Sequence, residues 1–249
     1  MISKHRYTHI VWSVVVCALL NFDTGIVHAQ GNDAAAILKR MSNEIAGLEK
    51  FTVSGDGYVD ARLDAGHIIE QSMDVTMRMR RPDAMRITNR SAESTKEIYF
   101  GGGVLTVYSQ TENFYAHSDV PADVYAAVSF AVNDLHLDAP MLDLASRDLA
   151  TDLLEDAQSV DYLGLSRFRD NLYHHIGVRT AEVDLQIWVA AEGPPLPGKL
   201  AINSKWEGGS PRSVFFFSWD TEPDFEHKSF NFEPPAGSTR IEFDLDSDE

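Results

Sequence analysis

Cysteine is almost absent. The 249-residue chain has one, Cys17, which excludes an intramolecular disulfide framework and a thiolate zinc site. Basic residues are scarce: 21 Lys and Arg stand against 38 Asp and Glu, a formal net charge of -17. A surface of that sign is unsuited to phosphate backbones and anionic membranes. Membrane-spanning runs are missing as well. The apolar stretch at residues 10–20 is short, where a spanning helix needs about 20 residues. Nucleophile signatures are also lacking. No Gly-x-Ser-x-Gly element occurs, and Gly101-Gly102-Gly103 is followed by neither a helix nor Lys-Ser/Thr, so it is not a phosphate loop. The acidic end, Asp244-Leu-Asp-Ser-Asp-Glu249, lacks the glycine and distal glutamate of a calcium loop.

What is present is a foldable, exported chain. A content of 44% hydrophobic and 10% aromatic residues excludes wholesale disorder. Lys4 and Arg6, the apolar run 10–20 and Val27-His28-Ala29 form the three parts of a secretory signal. Cleavage is expected after Ala29, with an uncleaved anchor as the alternative. Cys17 lies mid-run without a small residue before it, so it reads as a signal residue and not a lipid-attachment site. The expected product is a single domain over 30–243 with a solvated acidic tail over 244–249.

Periodicity orders the elements. Asp33 is placed to cap a helix to about Glu49, with Ala34, Ile37, Leu38, Met41, Ile45 and Leu48 on one face. Period-two alternation then predicts strands at 51–59, 72–81, 84–90, 96–100, 104–109 and 113–118. A helix capped by Ser118 or Asp119 carries the stripe Val124, Val128, Ala131 and Leu135, and shorter helices follow at 141–145 and 149–156. Strands return at 159–167, 171–179, 183–191, 199–207 and 213–219. This order predicts an α+β domain: one curved antiparallel sheet of about eleven strands, an N-terminal helix and a mid-chain helical lid.

So few helices are a small cover for so long a sheet, so either side chains fill its concave face or a cavity remains. Met73, Val75, Met77, Met79 and Arg81 share one face of their strand, with Met85 nearby. Methionine suits an adaptable apolar surface and equally a packed core. Arg81 either faces inward, where its donors need partners, or swings to solvent past the strand end. Phe100, Val107 and, from the lid helix, Val128 extend the candidate lining. Phe215, Phe217 and Trp219 alternate with Phe216 and are assigned to the cavity side, with the first helix a candidate cover for the other. The adjacent His174 and His175 point to opposite faces of a strand and cannot readily share a metal ion.

The stretch Val183-Asp-Leu-Gln-Ile-Trp-Val-Ala-Ala-Glu-Gly-Pro-Pro-Leu-Pro-Gly-Lys-Leu, with Gly209-Ser-Pro-Arg, Ser218-Trp-Asp, Phe230-Asn-Phe-Glu-Pro-Pro-Ala-Gly and Arg240-Ile-Glu-Phe, resembles the family called domain of unknown function 2092, predicted periplasmic proteins. Gly198 and Leu185 depart from its pattern, which has a basic residue and a tryptophan there. That family is similar to the lipoprotein carrier LolA and its partner LolB. Arg81-Pro82, Gly102-Gly103-Val104-Leu105-Thr106-Val107-Tyr108 and the closing Phe-x-Phe-x-Pro-Pro-x-Gly carry the likeness. The resemblance implies an unclosed half-barrel in the periplasm, with Arg81 facing the cavity and bonded to the lid. The expected function is to bind a lipid, an acyl chain or another apolar ligand, with no cofactor, no metal, no catalysis and an envelope protein as a possible partner. The alternatives are an envelope interaction protein whose core is filled by its own side chains, and a hydrolase with an unrecognised site.

Overall fold

The computed structural model describes residues 31–63, 66–137, 141–205 and 211–243. The signal segment with its cleavage point, the connecting residues 208–210 and the acidic tail expected from the sequence lie outside the described residues.

Helix α1 (Gly31–Gly47) comes first. Ala34, Ile37, Leu38, Met41 and Ile45 are buried along one face, as the three- and four-residue spacing of the apolar positions requires. Six strands follow: β1 (Lys50–Arg62), β2 (Ile68–Arg80), β3 (Ala84–Ser91), β4 (Thr95–Gly101), β5 (Val104–Ser109) and β6 (Phe114–Asp119). The helical segment holds α2 (Val124–Asn133), a 3-10 turn at Leu142–Ala145 and α3 (Leu149–Glu155). Then come β7 (Ser159–Phe168), β8 (Asn171–Arg179), β9 (Val183–Ala190), β10 (Pro197–Ser204) and β11 (Arg212–Asp220). A second 3-10 turn, His227–Phe230, leads to the two-residue β12 (Thr239–Arg240).

All strands join one open sheet in the order β12-β6-β5-β4-β3-β2-β1-β11-β10-β9-β8-β7. The sheet is therefore two meanders, β1–β6 and β7–β11, joined where β1 pairs antiparallel with β11. The helices lie against its concave face. One core contains the buried faces of α1, α2 and α3 together with Met77, Ile98, Leu105, Ile176 and Val189 from both halves of the sheet. Among the described residues no helix is long and apolar enough to cross a membrane.

Several boundaries differ from the expectation. β2 starts at Ile68, not Ser72, because residues 68–72 are exposed on both faces and carry no burial alternation. The cap of α2 is Asp123, whose carboxylate accepts from the backbone N–H groups of Tyr125 and Ala126, each at 3.2 Å. Ser118 and Asp119 are still inside β6. A twelfth strand closes the chain and pairs in parallel with β6, so the sheet is not purely antiparallel. Helix α1 packs on the concave side with α3, β7 and β9, and so does not cover Phe216.

The convex face has its own small cluster: Tyr173, Trp188 and Ala201 are buried, with Phe168 packed on them. Phe168 stacks on Tyr173 at 4.2 Å, and Lys199 Nζ lies 4.3 Å above the Trp188 ring and 5.1 Å from that of Phe216. Burial, with Arg212 adding repulsion, lowers the Lys199 pKa from its ordinary value. Gly198 fits beneath Tyr173: a Cβ there would come 2.7 Å from the ring carbon Cζ. At the other half, Glu97 accepts from Arg86 Nη2 at 2.6 Å, from Tyr99 Oη at 2.8 Å and from Thr88. The C-terminal segment roofs this network with Phe232, whose ring contacts Tyr99, Tyr108 and Tyr115.

Candidate functional site

Inward-facing positions alternate along each strand, and the inward residues of β1 include Gly55 and Gly57. Their lack of side chains is used. A Cβ on Gly57 would sit 2.6 Å from the Phe215 ring and 2.7 Å from Met73 Cγ, and one on Gly55 would strike Met141. These bulky groups therefore lie down on the strand and leave a gap above it. The gap is a cavity of about 440 Å³. Its floor comes from β1, β2, β9, β10 and β11, through residues such as Met73, Leu185, Ile187, Leu200 and Phe217. Its roof comes from Met41 of α1, Leu144 of the 3-10 turn, and Leu149 and Leu153 of α3. Among the described residues, the polar ones of the wall are Asp143, Ser204 and Ser213.

The candidate lining residues divide into two groups. Met73, Phe215 and Phe217 are on the cavity wall. Val75, Met77, Met79, Met85 and Phe100 are buried at 0–1% exposure and pack in the core away from that wall. Val107 and Val128 pack against the same core. Trp219 meets the Phe51 ring at 5.4 Å and donates from Nε1 to the Pro197 carbonyl at 2.8 Å. Most of the methionine stripe is thus packed interior. The half of the concave face under α2 is filled, and the half under α3 holds the space. Sequence reasoning missed Leu149 and Leu153, and the pairs Leu185/Ile187 and Leu200/Ile202. Their signal was plain period-two alternation in late strands, identical to that of any core strand.

Arg81 falls one residue past β2 but turns inward. Its Nη1 donates to the Leu48 carbonyl at 2.7 Å and its Nε to Tyr125 Oη at 2.6 Å. The guanidinium also lies 5.3 Å from the Phe51 ring centroid and 5.4 Å from that of Tyr125. Its Nη2 is buried without a partner among the described residues. Leu48 follows the end of α1, and Tyr125 is in the first turn of α2. Arg81 therefore ties the helical segment to the first helix and the sheet. The backbone adds a second tie, from Val124 N–H to the Pro82 carbonyl at 2.8 Å. Arg147 also lies over the Tyr125 ring, 4.4 Å from its centroid. At the far end of the segment, Ser42 of α1 donates to Asp148 at 3.5 Å, at the start of α3.

His174 and His175 point to opposite faces. His174 Nδ1 is 3.0 Å from Tyr162 Oη, and His175 Nε2 is 3.0 Å from Gln186 while its ring stacks on Trp188 at 4.1 Å. Burial lowers both imidazole pKa values, and Arg40 adds to the effect at His174. Among the described residues no three His, Cys, Asp or Glu side chains gather as a metal ion would need.

Residues 34–244 match the family described as predicted periplasmic proteins, domain of unknown function 2092. No curated protein matches the chain. The solved structure of lipoprotein LppX from Mycobacterium tuberculosis is similar, with a TM-score of 0.47 at 13% identity over 79% of this chain and 99% of that one. LprF from Mycobacterium bovis gives 0.43 at 12% identity over 78% and 95% of the two chains. A LolA superfamily protein from Nitrosomonas europaea gives 0.40 at 14% identity over 80% and 97%.

Proposed function

The chain belongs to the family of predicted periplasmic proteins called domain of unknown function 2092, and we propose that it acts there as a binding protein, not an enzyme, holding an acyl chain or another apolar ligand between its sheet and the α3 roof. The observation that carries this reading is the cavity itself, about 440 Å³ with a wall that, among the described residues, is apolar except at three. That volume falls in the range of about 300–1,000 Å³ typical of small-molecule sites. An apolar void of this kind gains little from water, which needs two to four polar partners to settle. It gains much from hydrocarbon. At about 0.8 kcal/mol per buried CH₂, a chain of about 16 carbons contributes on the order of 12 kcal/mol before ordering costs.

Arg81 is the latch in this reading. The roof over the cavity is the end of a segment whose beginning is held by Tyr125. Lifting the roof loads that contact, so the latch sets how readily cargo enters and leaves. The unpartnered Nη2 offsets part of the latch's stabilisation, which suits a contact that has to open.

The test is mass spectrometry of the solvent extract from protein purified out of the periplasm without detergent. A stoichiometric apolar molecule is the expected result and names the cargo class. An empty extract from the natural chain and from Arg81→Leu, with no uptake of added apolar probe by either, overturns the reading.

A further inference from the structure

The convex face of the sheet carries a second hollow, separate from the cavity under α3. Ile98, Phe100, Leu105 and Val107 belong to the core, so the residues between them on β4 and β5 point the other way. The register sets Tyr99 beside Thr106 and Thr106 beside His117, one row across three strands. Tyr108 and Tyr115 form the next row, and Gly101 pairs with Val104 on the other side of the first. The C-terminal segment crosses above these rows. Phe232 rests on Tyr99, Tyr108 and Tyr115, with ring centroids at 5.4, 5.4 and 5.2 Å. Phe230 is 3% exposed and meets Arg80 and Phe225. Between these two anchors the chain passes over Gly101, where a Cβ would meet the Phe230 carbonyl at 3.5 Å. The space left beneath it is about 410 Å³, within the range of about 300–1,000 Å³ of small-molecule sites.

The wall of this hollow mixes aromatic rings with neutral hydrogen-bonding groups. Thr106, His117 and Asn231 line it, and none of their side chains makes a hydrogen bond among the described residues. Tyr99, by contrast, donates its hydroxyl to Glu97 at 2.8 Å. Among the described residues the wall holds no Asp, Glu, Lys or Arg. A purely apolar ligand would cover the three polar groups without pairing them. An ionic ligand would lose water and find no opposite charge. A threonine hydroxyl and a carboxamide each donate and accept, and a neutral imidazole does one at each nitrogen. That set matches a ligand whose hydroxyls do both. The rings are tilted to one another: 54° for Tyr99 and Phe232, 50° for Tyr115 and Phe232, 37° for Tyr115 and His117. They make a bowl, not the parallel-walled slot that a flat heterocycle fills. A puckered ring fits a bowl, with C–H groups against the electron-rich ring faces and hydroxyls at its rim. Those are the features of a pyranose.

We infer that the hollow between β4–β6 and the C-terminal segment is a second binding site, for a small neutral saccharide held on Tyr115 and Phe232 and hydrogen-bonded by Thr106, His117 and Asn231. It stands whatever the cavity under α3 holds. The probes are methyl β-glucoside and methyl β-N-acetylglucosaminide, titrated into the tens of millimolar against protein purified out of the periplasm and followed by amide NMR. The amide signals of Gly101, Thr106 and His117 are expected to shift along one saturable curve, with those of Leu185 and Ile187 on the cavity floor unmoved. Thr106→Val keeps the shape and removes the hydroxyl, and should weaken binding about fivefold. Val104→Trp fills the hollow from β5 and should weaken it at least tenfold. Leu200→Trp fills the other cavity and should leave it unchanged. No saturable shift with either probe overturns the inference. So does binding that Val104→Trp leaves intact, or that Leu200→Trp abolishes. If Thr106→Val cannot be purified folded, Asn231→Ala in the exposed segment replaces it, with a loss of the same order expected; sugar binding untouched by the removal of that amide refutes the assigned contacts.

Discussion

Consider removal of the latch by Arg81→Leu. The guanidinium makes two charged-donor hydrogen bonds, at 2.7 Å to Leu48 O and 2.6 Å to Tyr125 Oη. Such bonds contribute about 1.5–3 kcal/mol each, while a buried unsatisfied donor like Nη2 costs about 1–3 kcal/mol. The net loss is therefore about 2 kcal/mol, which at about 1.4 kcal/mol per decade is a roughly 30-fold rise in opening of the helical segment. Hydrogen exchange reads this directly. The amides of Ala127 and Asp134, bonded to the Asp123 and Phe130 carbonyls, should exchange roughly 30-fold faster, with those of Ile176 and Ile187 in the sheet unchanged. Tyr125→Phe should reproduce most of the effect, because it leaves Arg81 Nε buried and unpaired. The double variant should be little worse than either single one, the signature of a shared contact. Unchanged exchange in α2, or a uniform acceleration that includes β8 and β9, would refute the latch.

Other expectations test separate parts of the fold. Leu200→Trp puts an indole into the cavity from β10, and should reduce co-purifying apolar ligand at least tenfold by mass spectrometry while the thermal midpoint of the ligand-stripped protein is held. Gly198→Ala forces the Tyr173 ring off its stack on Phe168, and should cost about 1–3 kcal/mol by chemical denaturation; pairing it with Tyr173→Leu should recover most of that loss. Burial raises the Glu97 carboxyl, but the hydrogen bonds from Arg86 and Tyr99 more than offset this and leave its pKa below the ordinary 4.5. A lowered carboxylate pKa stabilises the fold above 4.5 and loses that contribution as pH falls through the folded value. The stability difference between the natural chain and Glu97→Gln should therefore shrink between about pH 6 and about pH 3. A difference independent of pH would show that the carboxylate is not held ionised by its partners.

Most of the fold was legible in the sequence, because strand alternation and helix spacing are set by burial on one face, and this sheet has one covered face along nearly its whole length. The exceptions have physical reasons. The hairpin end of β2 projects past its neighbours, so residues 68–72 lose the pattern. β12 is two residues long and is held by Thr239 and Ile241 N–H groups bonding Asn113 and Tyr115 carbonyls, which no side-chain pattern encodes. The site was legible only in part. Met77 on the filled side and Met73 on the open side look alike in sequence, since alternation reports which face a residue is on and not what lies above it. The difference is made by α3, which stands off the sheet where Gly55 and Gly57 let Phe215 and Met73 lie flat. Arg81 could be assigned an inward orientation by resemblance, but its partner Tyr125 emerged from the geometry alone.

The pairing of β1 with β11 has a consequence for how the chain becomes competent. Almost every other ladder joins strands adjacent in sequence; this one joins Thr52 to Asp220 and Val59 to Ser213. Closing a loop of about 150 residues costs about 4 kcal/mol by the logarithmic rule, so the two meanders can form separately before the seam zips. The cavity straddles that seam, with Val59 and Met73 from one meander and Ile187 and Phe215 from the other. A ligand inside it touches both halves, and at about 100 times its dissociation constant adds about 2.7 kcal/mol to their union. On the proposed reading, cargo would be a rivet as well as a load. A chain formed only as far as β10 would lack the β11 side of the cavity wall, so bound cargo would mark a chain whose two meanders have joined.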